Sequence, residues 1–292
     1  MKYSVFDTHC DTLCRVLDEN KRLCKNDCHI DFERMSKYES YTQVFACFVD
    51  PVYKSGATQR TMNLIDAFHR STEHMPRNVK ALLSIEGGEG IYSVSALRNY
   101  YRLGVRAAAL TWNYSNHIAS GALERDESRG LTEFGKSIAE EMNRLGMLID
   151  VSHLNRKSFY DISEITKMPI IATHSCSDAV CSHPRNLTDD QFNVIKSTGG
   201  CVGINFYPPF LTDKGKCGID DIVRHIDHFM SLGGEDNIGI GADFDGVDCL
   251  PDGIRGAEDI YKVFDRLSQK GYTDNRIEKI SHKNFERIFT NA

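Results

Sequence analysis

The sequence contains no long apolar run. None of its hydrophobic segments approaches the roughly 20 residues that a helix needs to cross a bilayer. The N-terminal segment, MKYSVFDTHCDTL, lacks the apolar stretch and the cleavage pattern of a signal peptide. We therefore expect a cytoplasmic protein that has no membrane partner.

Basic clusters and linker-like segments are also absent. No Lys/Arg run stands out and the formal net charge is −6, which disfavours a nucleic-acid partner. The chain has only seven prolines and no Ser/Gly-rich stretch, so we expect neither an interdomain linker nor a disordered tail. With 292 residues, of which 41% are hydrophobic, the chain can bury one large core. We predict a single domain over residues 1–292.

Cysteine, in contrast, is abundant. The chain has ten, and without an export signal we expect them to be reduced thiols. Cys24 and Cys28, with His29 directly after them, resemble half of a structural zinc site. No second Cys/His pair lies nearby to complete four ligands, so we expect ordinary thiols here.

Short strand-like runs alternate with helix-like stretches along the chain. The strand-like runs are rich in Val, Ile, Leu, Ala and Phe and cover residues 4–11, 42–49, 79–86, 105–111, 147–152, 170–174, 200–206 and 238–243. The clearest helical stretches cover residues 61–74, 132–145, 158–166, 189–197, 219–232 and 257–270. Eight such alternations predict an α/β fold, a (β/α)8 TIM-type barrel, with closing helices over residues 275–289. An open doubly wound sheet is the alternative, but the first strand does not end in a Gly-rich turn.

Residues that commonly bind metals stand at the ends of these predicted strands. Because the carboxyl ends of the strands meet at one face of a barrel, we expect these residues to form one site. They are His9, Asp11, Glu86, His153, His174 and Asp243.

A set of three imidazoles and two carboxylates is suited to two metal ions. We expect His9 and Asp11 to bind one ion, His153 and His174 the other, and Glu86 to bridge the two together with a water or hydroxide. Ligands without thiolate suit zinc, with manganese or cobalt as alternatives. A water between the ions would attack a carbonyl carbon.

A further carboxylate is predicted to act on protons at this site. Asp243, at the end of the last strand, is positioned to carry a proton to a leaving amine. Asp245 is its nearest rival, but Gly246 suggests that the chain turns before Asp245 reaches the same side.

These motifs resemble those of the membrane dipeptidase (renal dipeptidase) family of zinc peptidases, within the wider amidohydrolase-type barrels. The resemblance covers nearly the whole chain. Its most specific parts are NRLGMLIDVSH at 143–153 and GADFDG at 241–246, with THCD at 8–11, EGG at 86–88, THS at 173–175, RN at 185–186 and NFY at 205–207 in the same order.

The resemblance implies a zinc-dependent dipeptidase with Asp243 as the catalytic acid/base. It also implies that Arg185 binds the free C-terminal carboxylate of a dipeptide, with Tyr207 near the same end, since guanidinium offers two parallel hydrogen bonds to a carboxylate. Dipeptides with a D-residue at the second position belong to the expected substrates, and the family suggests a homodimer. Another amide, ester or lactam hydrolase on the same barrel is the alternative function.

One position departs from the family pattern. Animal members carry a His at the end of strand four, where this chain has Trp112. We expect Trp112 to stack on the substrate or to cover the barrel rim, and Asn113 or Asn116 to supply the missing polar contact. The signal peptide and lipid-anchor signal of the animal enzymes are missing as well, so the chain resembles a soluble bacterial-type member.

The remaining histidines receive plainer expectations. His225 and His228 fall on one predicted helix, and we expect a solvated or half-buried face there. His117 is the best further candidate for a contact with substrate.

Overall fold

Eight parallel strands form a closed barrel in the computed structural model, which describes residues 1–290. Each strand pairs with the next along the chain, and β1 pairs with β8 through Asp7 and Ile240. The strands are β1 Ser4–Cys10, β2 Ser40–Phe48, β3 Val79–Glu86, β4 Val105–Ala109, β5 Leu148–Asp150, β6 Ile171–Ala172, β7 Cys201–Ile204 and β8 Ile238–Ile240. The predicted (β/α)8 barrel is thereby confirmed. The prediction of one domain over 1–292 includes residues 291–292, which lie outside the described part, and stays a prediction.

Helices surround the barrel and fill the connections between its strands. They are α1 Thr12–Asp18, α2 Phe32–Met35, α3 Ala57–Thr72, α4 Val94–Arg102, α5 Glu133–Leu145, α6 Arg156–Ile165, α7 Asp189–Ser197, α8 Pro208–Leu211, α9 Ile219–Ser231, α10 Tyr261–Gln269, α11 Asp274–Glu278 and α12 Asn284–Phe289. None of the helices within residues 1–290 combines the length and the apolar character that a bilayer crossing requires.

Local sequence signals explain where several helices begin and end. The Thr132 side chain accepts a hydrogen bond from the Gly135 amide and begins α5, and Gly146 ends the helix with a left-handed φ of 75°. Thr188 and Gln191 form a reciprocal capping box at the start of α7. Since these caps are encoded within a few residues, the sequence placed α5 and α7 correctly.

Several strands are shorter than predicted at the barrel mouth. β6 ends at Ala172 and β8 at Ile240, so His174 and Asp243 lie in the loops just beyond. At β6 the reason is a side chain: the Thr173 amide donates to the Asp150 carboxylate instead of continuing the strand ladder. The residues predicted at strand ends are therefore held by specific hydrogen bonds as well as by the strands.

Apolar side chains seal the opposite end of the barrel. Phe6, Val44 and Leu148 from the barrel interior pack against Phe285 and Phe289 of α12. The rings of Phe6 and Phe285 stack with centroids 6.0 Å apart. The predicted closing helices are confirmed by α11, α12 and the π-helical turn between them, Lys279–Lys283. Because this end is filled, the strand-end face is the accessible one.

Candidate metal centre and active site

The barrel mouth brings together all six residues predicted from the strand ends. His9 lies within β1, Glu86 ends β3, and the others follow their strands directly. All six are buried, with exposed fractions of 8% or less: His9, Asp11, Glu86, His153, His174 and Asp243.

Glu86 lies at the centre of this cluster. Its Oε1 is 2.5 Å from His153 Nε2 and 3.4 Å from His174 Nε2, while its Oε2 is 3.4 Å from His9 Nε2. His9 Nε2 is also 3.4 Å from Asp11 Oδ2. The two carboxylate oxygens of Glu86 thus face two different groups of ligands, as a bridging ligand requires.

Hydrogen bonds orient two of the imidazoles for metal binding. His153 Nδ1 lies 3.1 Å from Asn113 Oδ1, and His174 Nδ1 lies 2.8 Å from the Thr173 hydroxyl. The Asn113 oxygen can only accept, so Nδ1 of His153 carries the proton. Its Nε2 is then unprotonated, and the lone pair of this nitrogen is directed into the cluster.

The donor atoms of the cluster fit a divalent cation. The Nε2 atoms of His153 and His174 are only 2.8 Å apart, and both face a carboxylate oxygen. His9 Nε2 and Asp11 Oδ1 are buried without a hydrogen-bond partner. Leaving such groups unpartnered costs about 1–3 kcal/mol each. Imidazole and carboxylate ligands without thiolate are typical of zinc, and a bound cation would satisfy all of these atoms together.

Asp150 holds the His174 side of the cluster, a role that was not predicted from the sequence. Its Oδ1 accepts from the Ser152 hydroxyl at 2.6 Å, and its Oδ2 accepts from the Thr173 hydroxyl. Burial raises the pKa of Asp150, but the neighbouring His174 and these donors outweigh burial and lower it below its ordinary value. Because its hydroxyl proton goes to Asp150, Thr173 accepts from His174 Nδ1, which leaves His174 Nε2 free for a metal. A carboxylate inside an apolar strand was the sequence signal that could have revealed this residue.

Asp243 and Asp245 have different surroundings. Asp243 lies in a turn with φ of 62°, its Oδ2 accepts from Asn205 Nδ2 at 2.9 Å, and its Oδ1 is 3.8 Å from His9 Nε2. The Asp245 carboxylate accepts from the Thr12 hydroxyl and from the His29 amide. Both oxygens of Asp245 are therefore engaged within the protein, whereas Asp243 faces the metal cluster.

Arg185 is a buried cation beside the ligands. It is 4% exposed, its Nη2 is 2.9 Å from His153 Nε2, and its guanidinium lies 5.5 Å from the ring centre of Phe210. Its Nη1 is buried without a hydrogen-bond partner. Burial lowers the pKa of this guanidinium. Tyr207 contacts the same phenylalanine edge-on, with ring centres 5.0 Å apart, so Arg185 and Tyr207 both pack against Phe210.

An open cavity of about 290 Å³ adjoins the cluster. Phe48 and Trp112 form an aromatic wall, with ring centres 5.4 Å apart, and Trp112 is 6.5 Å from the His153 ring. The lining residues are Asp11, Cys14, Arg15, Asp18, Glu19, Phe48, Glu86, Trp112, His153, Asp243, Asp245 and Gly246. Trp112 therefore lies at the pocket, beside the predicted metal ligand His153.

A family model for membrane dipeptidases (peptidase family M19) matches residues 1–292. The chain belongs to the membrane dipeptidase family. An uncharacterized dipeptidase of Schizosaccharomyces pombe is 33% identical over 282 residues, which cover 94% of this chain and 67% of that protein. This family membership, together with the two metallopeptidase structures described next, identifies the protein as a metallo-dipeptidase, which is a hydrolase.

Two solved structures of metallopeptidases share the whole fold. One, from Rhodobacter sphaeroides, is liganded with a phosphinate mimic of the dipeptide L-Ala-D-Ala; it is 26% identical, with a TM-score of 0.89 over 100% of this chain and 99% of that chain. The other, dipeptidase AC, is 27% identical, with a TM-score of 0.90 over 100% of this chain and 99% of that chain.

Two further side chains that were predicted to contact substrate, those of His117 and Asn113, make contacts within the protein. The His117 ring stacks on Phe134, with centres 5.6 Å apart, and its Nε2 meets the Ile91 carbonyl. His117 is not among the residues that line the cavity. The oxygen of Asn113 is engaged by His153, so its role toward substrate stays a prediction.

His225 is fully buried, which is more than the solvated or half-buried face expected from the sequence. Its Nδ1 accepts from the Ser177 amide at 3.0 Å, and its Nε2 lies 3.0 Å from the Leu211 carbonyl. The ring thus joins the loop after β6 to the end of α8. These two partners lie far from His225 in sequence, so no local pattern indicated them.

Proposed function

We propose that the protein is a zinc-dependent dipeptidase that cleaves dipeptides with a free C-terminal carboxylate, including those with a D-residue at the second position. His9 and Asp11 would hold one zinc ion, His153 and His174 the other, with Glu86 and a water or hydroxide between them. When bound, the two ions would lower the pKa of a water and polarise the scissile carbonyl. The other tasks of the reaction, which are to anchor the substrate and to transfer the proton, would be carried out by side chains of the protein.

The observation that carries the proposal is the buried guanidinium of Arg185. A buried cation with an unpartnered N–H, next to a metal ligand, is suited to an anionic partner from the substrate. The C-terminal carboxylate of a dipeptide lies one residue beyond the scissile bond. Anchoring it at Arg185 places that bond over the cluster, and a longer peptide would have to extend past a buried residue.

Asp243 is proposed to move the proton. Asn205 holds Oδ2, so the opposite oxygen, Oδ1, faces the cluster and the cavity. From there Oδ1 can take a proton from the attacking water and deliver it to the leaving amine. The left-handed turn at Asp243 directs the side chain back over the barrel mouth.

The aromatic wall is proposed to receive the side chain of the first residue. Arg185 and Tyr207 lie beyond β6 and β7, whereas Phe48 ends β2 and Trp112 follows β4 on the other side of the mouth. A dipeptide fixed at Arg185 would direct its first residue toward that wall. The proposal of a D-residue at the second position is supported by the ligand of the Rhodobacter sphaeroides relative.

A dipeptide panel tests this function directly. Metal-free and zinc-loaded protein would be assayed on dipeptides with L- or D-residues at the second position, on matching tripeptides and on N-acyl amino acids, with bound zinc counted in each sample. We expect zinc-dependent cleavage restricted to dipeptides. No cleavage of any dipeptide by zinc-loaded protein would refute the proposal, and equal cleavage of N-acyl amino acids would favour a broader amide hydrolase.

A further inference from the structure

We propose that His29 is a positioning residue for the dipeptidase reaction, which holds the turn of Asp243 in place through Asp245. The inference rests on the proposed role of Asp243 as the group that moves the proton. His29 lies in the long connection between α1 and α2, where it contacts Asp245 and Phe244 of the turn.

His29 and Asp245 bind each other in both directions. The His29 amide donates to Asp245 Oδ1 at 2.8 Å, and the Asp245 amide donates to His29 Nδ1 at 3.0 Å. The Thr12 hydroxyl donates to the other oxygen, Asp245 Oδ2. The Asp245 side chain is only 4% exposed, so these bonds are shielded from water. Backbone and side chain of Asp245 are thus both fixed by groups outside its own turn.

The turn needs such support because its conformation is unfavourable. Asp243 and Asp245 have φ values of 62° and 65°, in the left-handed region that side-chain-bearing residues rarely adopt. Within the turn, a single long bond joins the Gly246 amide to the Asp243 carbonyl at 3.2 Å. Contacts from outside must therefore hold two strained residues in place.

The turn also lies directly against the reacting groups. A Cβ added at Gly246 would come within 2.2 Å of Asp11 Oδ2 and 2.4 Å of Asp243 Oδ1. A shift of the turn by a fraction of that distance would move Asp243 relative to the metal ligand Asp11. Holding Asp245 therefore fixes the position of the Asp243 carboxylate.

His29 is itself anchored on its far side. Its carbonyl accepts from the Ala257 amide at 3.0 Å, and a Cβ on Gly256 would come within 2.4 Å of that carbonyl oxygen. The His29 ring meets Phe244 edge-on, with ring centres 5.8 Å apart. A residue held in this way from the segment before α10 can resist movement of the Asp243 turn. Its Nδ1 is already used as an acceptor, which gives His29, the histidine of the Cys24-Cys28-His29 motif, a role other than zinc binding.

Variants at His29 separate this role from general stability. His29→Ala removes the Nδ1 acceptor, whereas His29→Asn retains an acceptor oxygen at a similar position. We expect His29→Ala to lower kcat about 10-fold to 100-fold, as displacement of a catalytic group does, with KM changed less than about twofold. His29→Asn should recover most of kcat. His74→Ala, at an exposed histidine, is the matched control and should behave as wild type.

Two further variants make every outcome decisive. Asp243→Asn tests the proposed function on its own: if it keeps full activity, that function and this inference both fail. If Asp243→Asn is inactive but His29→Ala keeps the wild-type kcat, the inference alone is wrong. The inference alone is also wrong if His29→Asn loses as much kcat as His29→Ala. Should His29→Ala not fold, His29→Phe keeps a ring against Phe244 but lacks the Nδ1 acceptor. It should lower kcat about 10-fold to 100-fold at constant KM and zinc content, and an unchanged kcat would overturn the inference.

Discussion

Replacing Arg185 with methionine should abolish the proposed selectivity of this dipeptidase for a free C-terminal carboxylate. Methionine keeps an unbranched apolar side chain but removes the guanidinium that lies over the Phe210 ring. The arginine is 4% exposed, so its bonds to a carboxylate would form away from water. Removing one partner of a buried, hydrogen-bonded charge pair costs about 2–5 kcal/mol. The loss in kcat/KM should therefore lie between about 30-fold and 5,000-fold.

The assay compares each dipeptide with its C-terminal amide. The amide has no negative charge for Arg185 to bind, so the wild-type protein should prefer the acid strongly. In Arg185→Met the acid and the amide should be cleaved at rates within about threefold of each other, because neither meets a guanidinium. Arg156→Met serves as the matched control, since the Arg156 side chain is 62% exposed.

Two results would refute this reasoning. If Arg185→Met slows the acid and the amide equally, Arg185 does not recognise the carboxylate. If bound zinc falls together with activity, the substitution acts through His153, whose Nε2 is 2.9 Å from the guanidinium. Zinc content must therefore be measured in the same samples as the rates.

Four other outcomes are expected. Glu86→Gln should roughly halve the zinc bound per chain, measured by elemental analysis, while the exposed Glu73→Gln should not change it; unchanged zinc in the first variant would contradict bridging. Trp112→Ala should lower kcat/KM about 10-fold for dipeptides with a large apolar first residue and less than twofold for Gly-first dipeptides; an equal loss for both would refute the aromatic wall. Phe285→Ala should lower the free energy of unfolding in urea by about 3–5 kcal/mol, because it empties the closed end of the barrel. Burial lowers the pKa of His225 to about 4. The buried neutral ring therefore contributes about 3 kcal/mol to the free energy of unfolding above about pH 6.5, and this contribution is lost as the pH falls toward 4. His225→Gln should flatten the dependence of the free energy of unfolding on pH between these values.

The sequence allowed the barrel and the residue cluster at its mouth to be predicted together. Each predicted ligand follows a short apolar run, and the strand ends of a parallel barrel meet at one face. Glu86 illustrates this: its position at the end of β3 was sufficient to place it among the histidine of β1 and the histidines that follow β5 and β6. Such positions are visible in sequence because strand boundaries are local features.

The contacts that support the site could not be predicted from strand boundaries in this way. Asp150, His225 and the His29–Asp245 pair act through hydrogen bonds whose partners lie far apart in sequence. Burial is another non-local property, and it decided the environment of both His225 and Arg185. Periodicity and capping patterns carry no information on such bonds, since any polar residue of a loop can make them.

The closure of the barrel has a consequence for how the protein is made. Phe6 lies near the beginning of the chain, and Phe285 and Phe289, which cover it, lie near the end. At the other face, β1 meets β8, and His9 approaches Asp243. A nascent chain that has not yet released α12 cannot cover Phe6 at the closed end, and one that has not yet released residues 238–243 cannot bring His9 to Asp243. The site can therefore assemble only after β8 and the turn that follows it have been synthesised, and a product truncated before β8 would lack both barrel closure and Asp243, the proposed proton carrier.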